Sequence, residues 1–242
     1  MFDNFWKVEE NIESGLGFAL FSLPHLIELA LCAAFAVFMS IRYRKADGKG
    51  RDRIRKAIAV ALIIDELFKH AGLLATDSWL PKYLPLHLCS INIFIVVIHA
   101  FMKKKSNLLA NFLYAVSLPS ALIAIITPNW QFLPVLNFMH LHSYTVHVLL
   151  VAYPLILMAA KEVKRDYRLI PFILLILVIL AIPLHFFNIG FGTNFLFIES
   201  PPAGTPLVLF KQWFGNHVIG YAIFLPLVLL LMYIPFKKPE KR

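Results

Sequence analysis

Seven mostly apolar stretches, each close to the length of a bilayer-spanning helix, divide the chain. They are Phe18–Ser40, Ala57–Ala75, Pro85–Met102, Leu108–Thr127, Phe138–Ala160, Leu169–Phe187 and Gly215–Phe236. A hydrocarbon core of about 30 Å needs about 20 such residues as helix. Lipid offers no partner to an exposed peptide group, so each stretch must satisfy its backbone within its own helix. The pattern predicts an all-α polytopic membrane protein. Its seven transmembrane helices would form one bundle, a single domain over residues 1–242.

The polar segments between the stretches differ in charge. The 41–56 segment carries Arg42, Arg44, Lys45, Lys49, Arg51, Arg53, Arg55 and Lys56. Two apolar stretches later come Lys103, Lys104 and Lys105, then Lys161, Lys164, Arg165 and Arg168, and finally Lys237, Lys238, Lys241 and Arg242. The other side keeps only Lys7, Lys82 and Lys211, with Lys69 inside a stretch. Cytoplasmic loops hold the excess of Lys and Arg, so the amino terminus is expected outside and the carboxyl terminus inside. The formal charge of +9 then reflects topology and attraction to anionic headgroups. It does not call for a nucleic-acid partner.

Composition agrees. Apolar residues make up 60% and charged residues 15%, and mean hydropathy is +0.73. A soluble globule of this size could not hide that much apolar surface, and a disordered chain needs the opposite balance. Two cysteines exclude a disulfide scaffold. The acidic start (Asp3, Glu9, Glu10, Glu13) does not read as a cleaved signal. The 188–214 segment is rich in Gly, Pro and aromatic residues and reads as a lid at the outer interface.

Polar side chains inside the stretches are candidates for function, because each costs about 2.5–3.5 kcal/mol to insert when ionisable. The second stretch holds Asp65, Glu66, Lys69 and His70. The i,i+4 spacing lets Asp65 meet Lys69 and Glu66 meet His70. Of nine histidines, His25, His70, His87, His140, His142, His147, His185 and His217 fall in the outer halves of their stretches, and only His99 lies toward the cytoplasm. That asymmetry suggests a polar chamber open to the outer leaflet. The third stretch opens Pro85-Leu86-His87-Leu88-Cys89-Ser90-Ile91-Asn92. Asn92 shares a helical face with Cys89, whereas His87 points elsewhere. In the fifth stretch His140, Tyr144 and His147 form one stripe. A buried thiol needs a base before it can attack an acyl carbonyl, and an imidazole supplies one. Cys89 and His147 lie at similar depth and are the candidate nucleophile and base. Cys32, with no polar company, reads as packing.

The string Leu84-Pro85-Leu86-His87-Leu88-Cys89-Ser90, with Thr127-Pro128-Asn129, Val146-His147 and Asn194-Phe195-Leu196 in the same order, resembles the bacterial YwaF-type integral membrane family. That resemblance implies a location in the bacterial cytoplasmic membrane. The arrangement is more distantly similar to a eukaryotic multispanning acyltransferase family that moves polyunsaturated acyl chains onto lyso ether phospholipids, and to the androgen-induced lipid hydrolases. The first similarity implies a thioester intermediate on the residue matching Cys89, with the residue matching His147 also required.

The leading expectation is thus a membrane-lipid acyltransferase or acyl hydrolase working from the outer leaflet. Its catalytic pair is Cys89 and His147. Its substrate-binding residues are His87, Asn92, Glu66, His70, His140 and Tyr144. Its partners are phospholipids or lysophospholipids, and it needs no cofactor and no metal. Two other readings fit the same residues. One is a small transporter or ligand-binding bundle. The other is a zinc-dependent seven-span lipid hydrolase in which Glu66, His70 and His147 converge.

Overall fold

A computed structural model describes residues 4–202 and 207–234. The basic tail residues Lys237, Lys238, Lys241 and Arg242 lie outside the described residues, as do Asp3 and, in the proposed lid, Gly204 and Pro206. Among the described residues the chain is helical, with no strand.

Each apolar stretch coincides with a helix. In chain order these are α1 (Leu23–Lys45), α2 (Gly48–Ala75), α3 (Leu88–Phe101), α4 (Asn107–Phe112) running through a π turn (Leu113–Ser117) into α5 (Leu118–Ile126), α6 (Phe138–Ala159), α7 (Ile170–Phe191), the short α8 (Leu207–Phe214), and α9 (Val218–Tyr233). Four helical runs are long and apolar enough to cross a membrane: Leu23–Lys45, Asn107–Ile126, Phe138–Ala159 and Tyr167–Phe191. Helices α3 and α9 are apolar but shorter. Helix α2 is long, but its apolar part contains Asp65, Glu66 and Lys69.

Local chemistry sets the helix boundaries. Asp47 caps α2 by accepting the Gly50 N–H at 2.7 Å, and Asn137 caps α6 by accepting the Met139 N–H at 2.9 Å. These side chains satisfy amides that a helix start leaves unpaired. The π turn precedes Pro119, which sits in the first turn of α5. A proline has no N–H and its ring crowds the carbonyl four residues back, and widening one turn accommodates both effects.

Helix α6 is central. It packs against α1, α2, α3 and α5, and Leu150, Ala152, Tyr153 and Ile156 along it are fully buried. Helices α2 and α3 also pack on each other, so α2, α3 and α6 form a mutually contacting trio. Helices α7 and α9 lie at the margin, and α7 leaves Phe172, Leu175, Val178, Ile179, Ile182 and Phe186 exposed.

Asparagines tie the loops down. Asn111 is fully buried. Its amide donates to the Asn107 and Lys164 carbonyls, and its oxygen accepts from the Asp166 N–H and the Tyr233 hydroxyl. Asn137 donates to the carbonyls of Asn4, Phe5 and Lys7 while its oxygen caps α6. The segment before α1 is thereby held across the helix ends. Trp6 packs there on Phe138, over Gly72, where an added Cβ would lie 2.9 Å from the Trp6 ring. The Lys82 ammonium pairs with Glu10 on the same end and holds that carboxyl below the ordinary carboxylate range. Asn137→Ala removes the cap and the three carbonyl anchors together. Thermal unfolding in detergent should show a loss of about 1–2 kcal/mol.

The opposite end gathers the basic loops. Tyr43 donates to Glu162 at 2.7 Å, and Arg51 and Arg55 reach the same carboxylate at 3.3 and 2.9 Å. Glu162 thus joins the α1–α2 connection to the segment after α6. Two of the basic segments, 41–56 and 161–168, therefore meet in space.

Candidate functional site in the polar interior of the bundle

The densest polar cluster sits where α2, α3 and α6 meet. Glu66 and Lys69 of α2 are both buried and form an ion pair one turn apart. His70 Nε2 lies 3.2 Å from the same Glu66 oxygen, and the Trp79 indole N–H donates to His70 Nδ1 at 3.2 Å. From α6, His142 places Nδ1 2.7 Å from Asp65 Oδ2 and Nε2 3.7 Å from Glu66 Oε2. The expected Glu66–His70 pair is present. The expected Asp65–Lys69 pair is not. Lys69 turns to Glu66 instead, because His142 on the facing helix takes Asp65, and a cross-helix partner outcompetes a neighbour along the same helix.

The residues of the α6 stripe face different neighbours. His140 is buried against α1, where its Nε2 lies 2.7 Å from Glu28 Oε1. Tyr144 donates to the Glu28 backbone carbonyl at 2.8 Å. His147 stacks on the Trp130 ring at 4.9 Å, and its Nδ1 donates to the Ser143 carbonyl at 2.6 Å. A carbonyl can only accept, so that bond puts the proton of the neutral imidazole on Nδ1. Nε2 is left with its lone pair.

Cys89, the second residue of α3, is half-buried and close enough to Glu66 and Lys69 to feel their charges. Among the described residues no hydrogen bond joins Cys89 to His147, although their helices pack together. Asn92 lies one turn along α3, fully buried, with neither its amide nitrogen nor its oxygen partnered. A buried amide left wholly unsatisfied is unusual and calls for an explanation such as a water or a ligand. His87 stands just before α3 and faces the 188–202 segment, with ring centroids 5.0 Å from Phe195 and 5.3 Å from Phe197. Asn188 fixes that segment by donating to the Phe195 carbonyl and accepting its N–H.

The remaining histidines have partners of their own. His25 donates through Nε2 to the Ile125 carbonyl, His217 donates to the Phe197 carbonyl, His185 meets Glu199, and His99 meets the Tyr153 hydroxyl. They are distributed over several polar contacts rather than pointing into one space. Among the described residues, no three His, Cys, Asp or Glu side chains stand where they could hold one metal ion. Glu66 and His70 meet, but His147 turns to Ser143 and Trp130. The convergence that a zinc hydrolase requires is therefore not formed.

Helical spacing could not reveal Trp130 or the His142–Asp65 contact. Glu28 did leave a signal, being the sole acid in the first apolar stretch. A lone carboxyl inside a span needs a partner, and His140 is that partner.

The TMEM164 family model matches residues 20–233, from the approach to α1 through the last residue of α9. The chain belongs to the TMEM164 family. No curated protein and no solved structure matches it. The membership makes it a member of a membrane-protein family, in accord with its apolar helices. The match takes in the whole α2–α3–α6 trio of this TMEM164-family chain.

Proposed function

We propose that this TMEM164-family protein is a membrane-lipid acyltransferase or acyl hydrolase that works through Cys89 and His147. The observation that carries the reading is the His147 tautomer. With Nδ1–H committed to the Ser143 carbonyl, Nε2 is a free base on a helix packed against the one bearing Cys89. The more distant similarity of the whole arrangement to cysteine-dependent lipid acyltransferases, with a cysteine near the start of one span and a histidine two spans later, supports the same pair, although Ser90 departs from their pattern after the cysteine.

In the proposed reaction His147 Nε2 takes the Cys89 proton, and the thiolate attacks the ester carbonyl of a phospholipid. The tetrahedral intermediate collapses, the ester C–O bond breaks, and the departing lysolipid oxygen takes the proton back from His147. A lysophospholipid hydroxyl or water then attacks the thioester with His147 again as base, and Cys89 leaves as the thiol. Thiol and imidazole close on each other as lipid enters, as catalytic contacts commonly tighten only in the substrate complex. The unpartnered Asn92 amide is the donor to the developing oxyanion, a contact worth about 2.7–4 kcal/mol in acyl transfer. Glu66 and His70 form the polar wall beside it. His87 shapes the approach under the 188–202 segment, and His140 and Tyr144 shape the flank toward α1.

The proposal extends to topology. The seven helices cross the membrane with the amino terminus outside, which places Cys89 toward the outer leaflet and the Glu162 cluster in the cytoplasm. The bacterial cytoplasmic membrane is the location the resemblance implies. The test is mass spectrometry of purified protein after exposure to phospholipid vesicles. An acyl mass on the Cys89 peptide, released by hydroxylamine, is the expected result. Acylation confined to Cys32, or none, overturns the reading. Asn92→Ala should lower turnover about 100-fold or more with little change in lipid affinity, measured as kcat against KM.

A further inference from the structure

The two oxygens of Glu66 are unequally served. Oε1 pairs with the Lys69 ammonium and lies 3.2 Å from His70 Nε2. Oε2 is buried and, among the described residues, has no hydrogen-bond partner. Across from it on α6, His142 is held by its other nitrogen. Nδ1 meets Asp65 Oδ2 at 2.7 Å, which leaves Nε2 3.7 Å from Glu66 Oε2. Glu66 and His142 are each more than nine-tenths buried.

A separation of 3.7 Å is too long for a hydrogen bond, which needs about 2.7–3.2 Å. Polar atoms set that far apart are commonly joined through a water. Buried waters sit on polar atoms that the protein leaves unpaired, and Glu66 Oε2 is such an atom. A water both donates and accepts, so it suits His142 Nε2 in either tautomer. The surroundings give this place its meaning. Cys89 is close enough to Glu66 to feel its charge, and His147 is close enough to feel that of His142. The gap therefore lies among the groups of the proposed thioester chemistry.

We infer that Glu66 Oε2 and His142 Nε2 hold an ordered water that resolves the Cys89 thioester, so that hydrolysis is the main fate of the acyl-enzyme. The chemical step rests on the proposed function, whereas the water site does not. In that step Glu66 Oε2 accepts one O–H of the water. The other proton passes to His147 Nε2 as the water oxygen attacks the thioester carbonyl. The tetrahedral intermediate collapses and the C–S bond breaks. The Cys89 sulfur takes the proton back from His147, and the second water proton leaves on the fatty acid. Asp65 is a positioning residue, because it holds the His142 ring at the water. An enzyme built only for transfer must keep water from its thioester, and here two buried side chains fix one beside it.

The test uses the full chain in phosphatidylcholine proteoliposomes that also contain deuterated lysophosphatidylcholine, in heavy-oxygen water. Hydrolysis places one heavy oxygen in the released fatty acid, and transfer leaves the new ester without it. The labelled acid should be the main product of the unmodified protein. In Glu66→Gln the amide oxygen must stay with the Lys69 ammonium, which only donates, so the NH2 takes the place of Oε2 and turns an acceptor into a donor. The ratio of hydrolysis to transfer should then fall about tenfold or more. Asp65→Asn should lower the same ratio, a partition that a loss of stability alone would not move. The water itself is read by X-ray hydroxyl-radical labelling of the Cys89→Ala protein. Radicals formed from a bound water should oxidise His142 despite its burial and leave Phe112, fully buried in the apolar core, unmarked. Acyl chains recovered mainly on the lysolipid, an unaltered ratio in Glu66→Gln, or an unmarked His142 overturns the inference. Absence of any acyl-enzyme overturns the proposed function and the hydrolytic step with it but leaves the His142 labelling standing, so the two failures are told apart.

Discussion

Cys89→Ala is expected to abolish acyl transfer while the protein still inserts and folds. The side chain is half-buried and packs only at the edge of the hydrophobic core, so truncation to alanine leaves a small void. A nucleophile that forms a covalent intermediate has no substitute within the site. The expected result is loss of turnover by several orders of magnitude with an unchanged unfolding profile. His147→Ala should fall nearly as far, and the double variant no further than Cys89→Ala, because groups that act as one unit are not additive. His147→Gln would keep an acceptor but not a base and should stay inactive. Measurement of phospholipid acyl exchange in proteoliposomes decides the matter: a Cys89→Ala protein with full exchange activity would remove the thioester mechanism.

The second large effect concerns stability. Glu66→Ala leaves the Lys69 ammonium, 4% exposed, without its counter-ion among packed helices. Removing one partner of a buried ion pair costs about 3–5 kcal/mol, because the surviving charge stays buried and unpaired. Replacing both with leucine avoids that cost, so Glu66→Leu/Lys69→Leu should recover most of the lost stability. Thermal unfolding in a fixed detergent compares the two. A Glu66→Ala protein as stable as the unmodified one would mean that Lys69 reaches water. The same double variant should lose activity if the polar wall beside Cys89 matters to catalysis, which separates folding from function at this pair.

The helices were legible in the sequence because a membrane enforces one periodicity-independent rule, a sufficient length of apolar residues. That rule sees only the apolar part of a helix. Helix α1 continues to Lys45 and α2 begins at Gly48, beyond the apolar limits, because the Asp47 cap starts α2 early and Arg51 and Arg55 of its first turns find a partner in Glu162. Pairing along one helix was half legible. Glu66 and His70 meet as their spacing predicts, but Asp65 crosses to His142, a contact set by helix packing that no local spacing encodes. The same holds for His147. Its position on α6 was readable, but the Ser143 carbonyl and the Trp130 ring that fix its tautomer and plane depend on the fold around it. The chemistry-bearing residue types could therefore be named in advance, while their partners needed the packing of α6 against its neighbours.

The amide of Asn111 has a consequence for assembly of the bundle. Helix α9 stands at the margin, yet its last residue, Tyr233, donates to Asn111, and the Tyr114 hydroxyl bonds the carbonyl of Met232 beside it. The final turn is thus riveted to a helix formed more than a hundred residues earlier, and the rivet can close only after the rest of that helix has been made. Until α9 docks, the Asn111 oxygen has only the Asp166 N–H, so Tyr233 is the last of the four Asn111 partners to arrive.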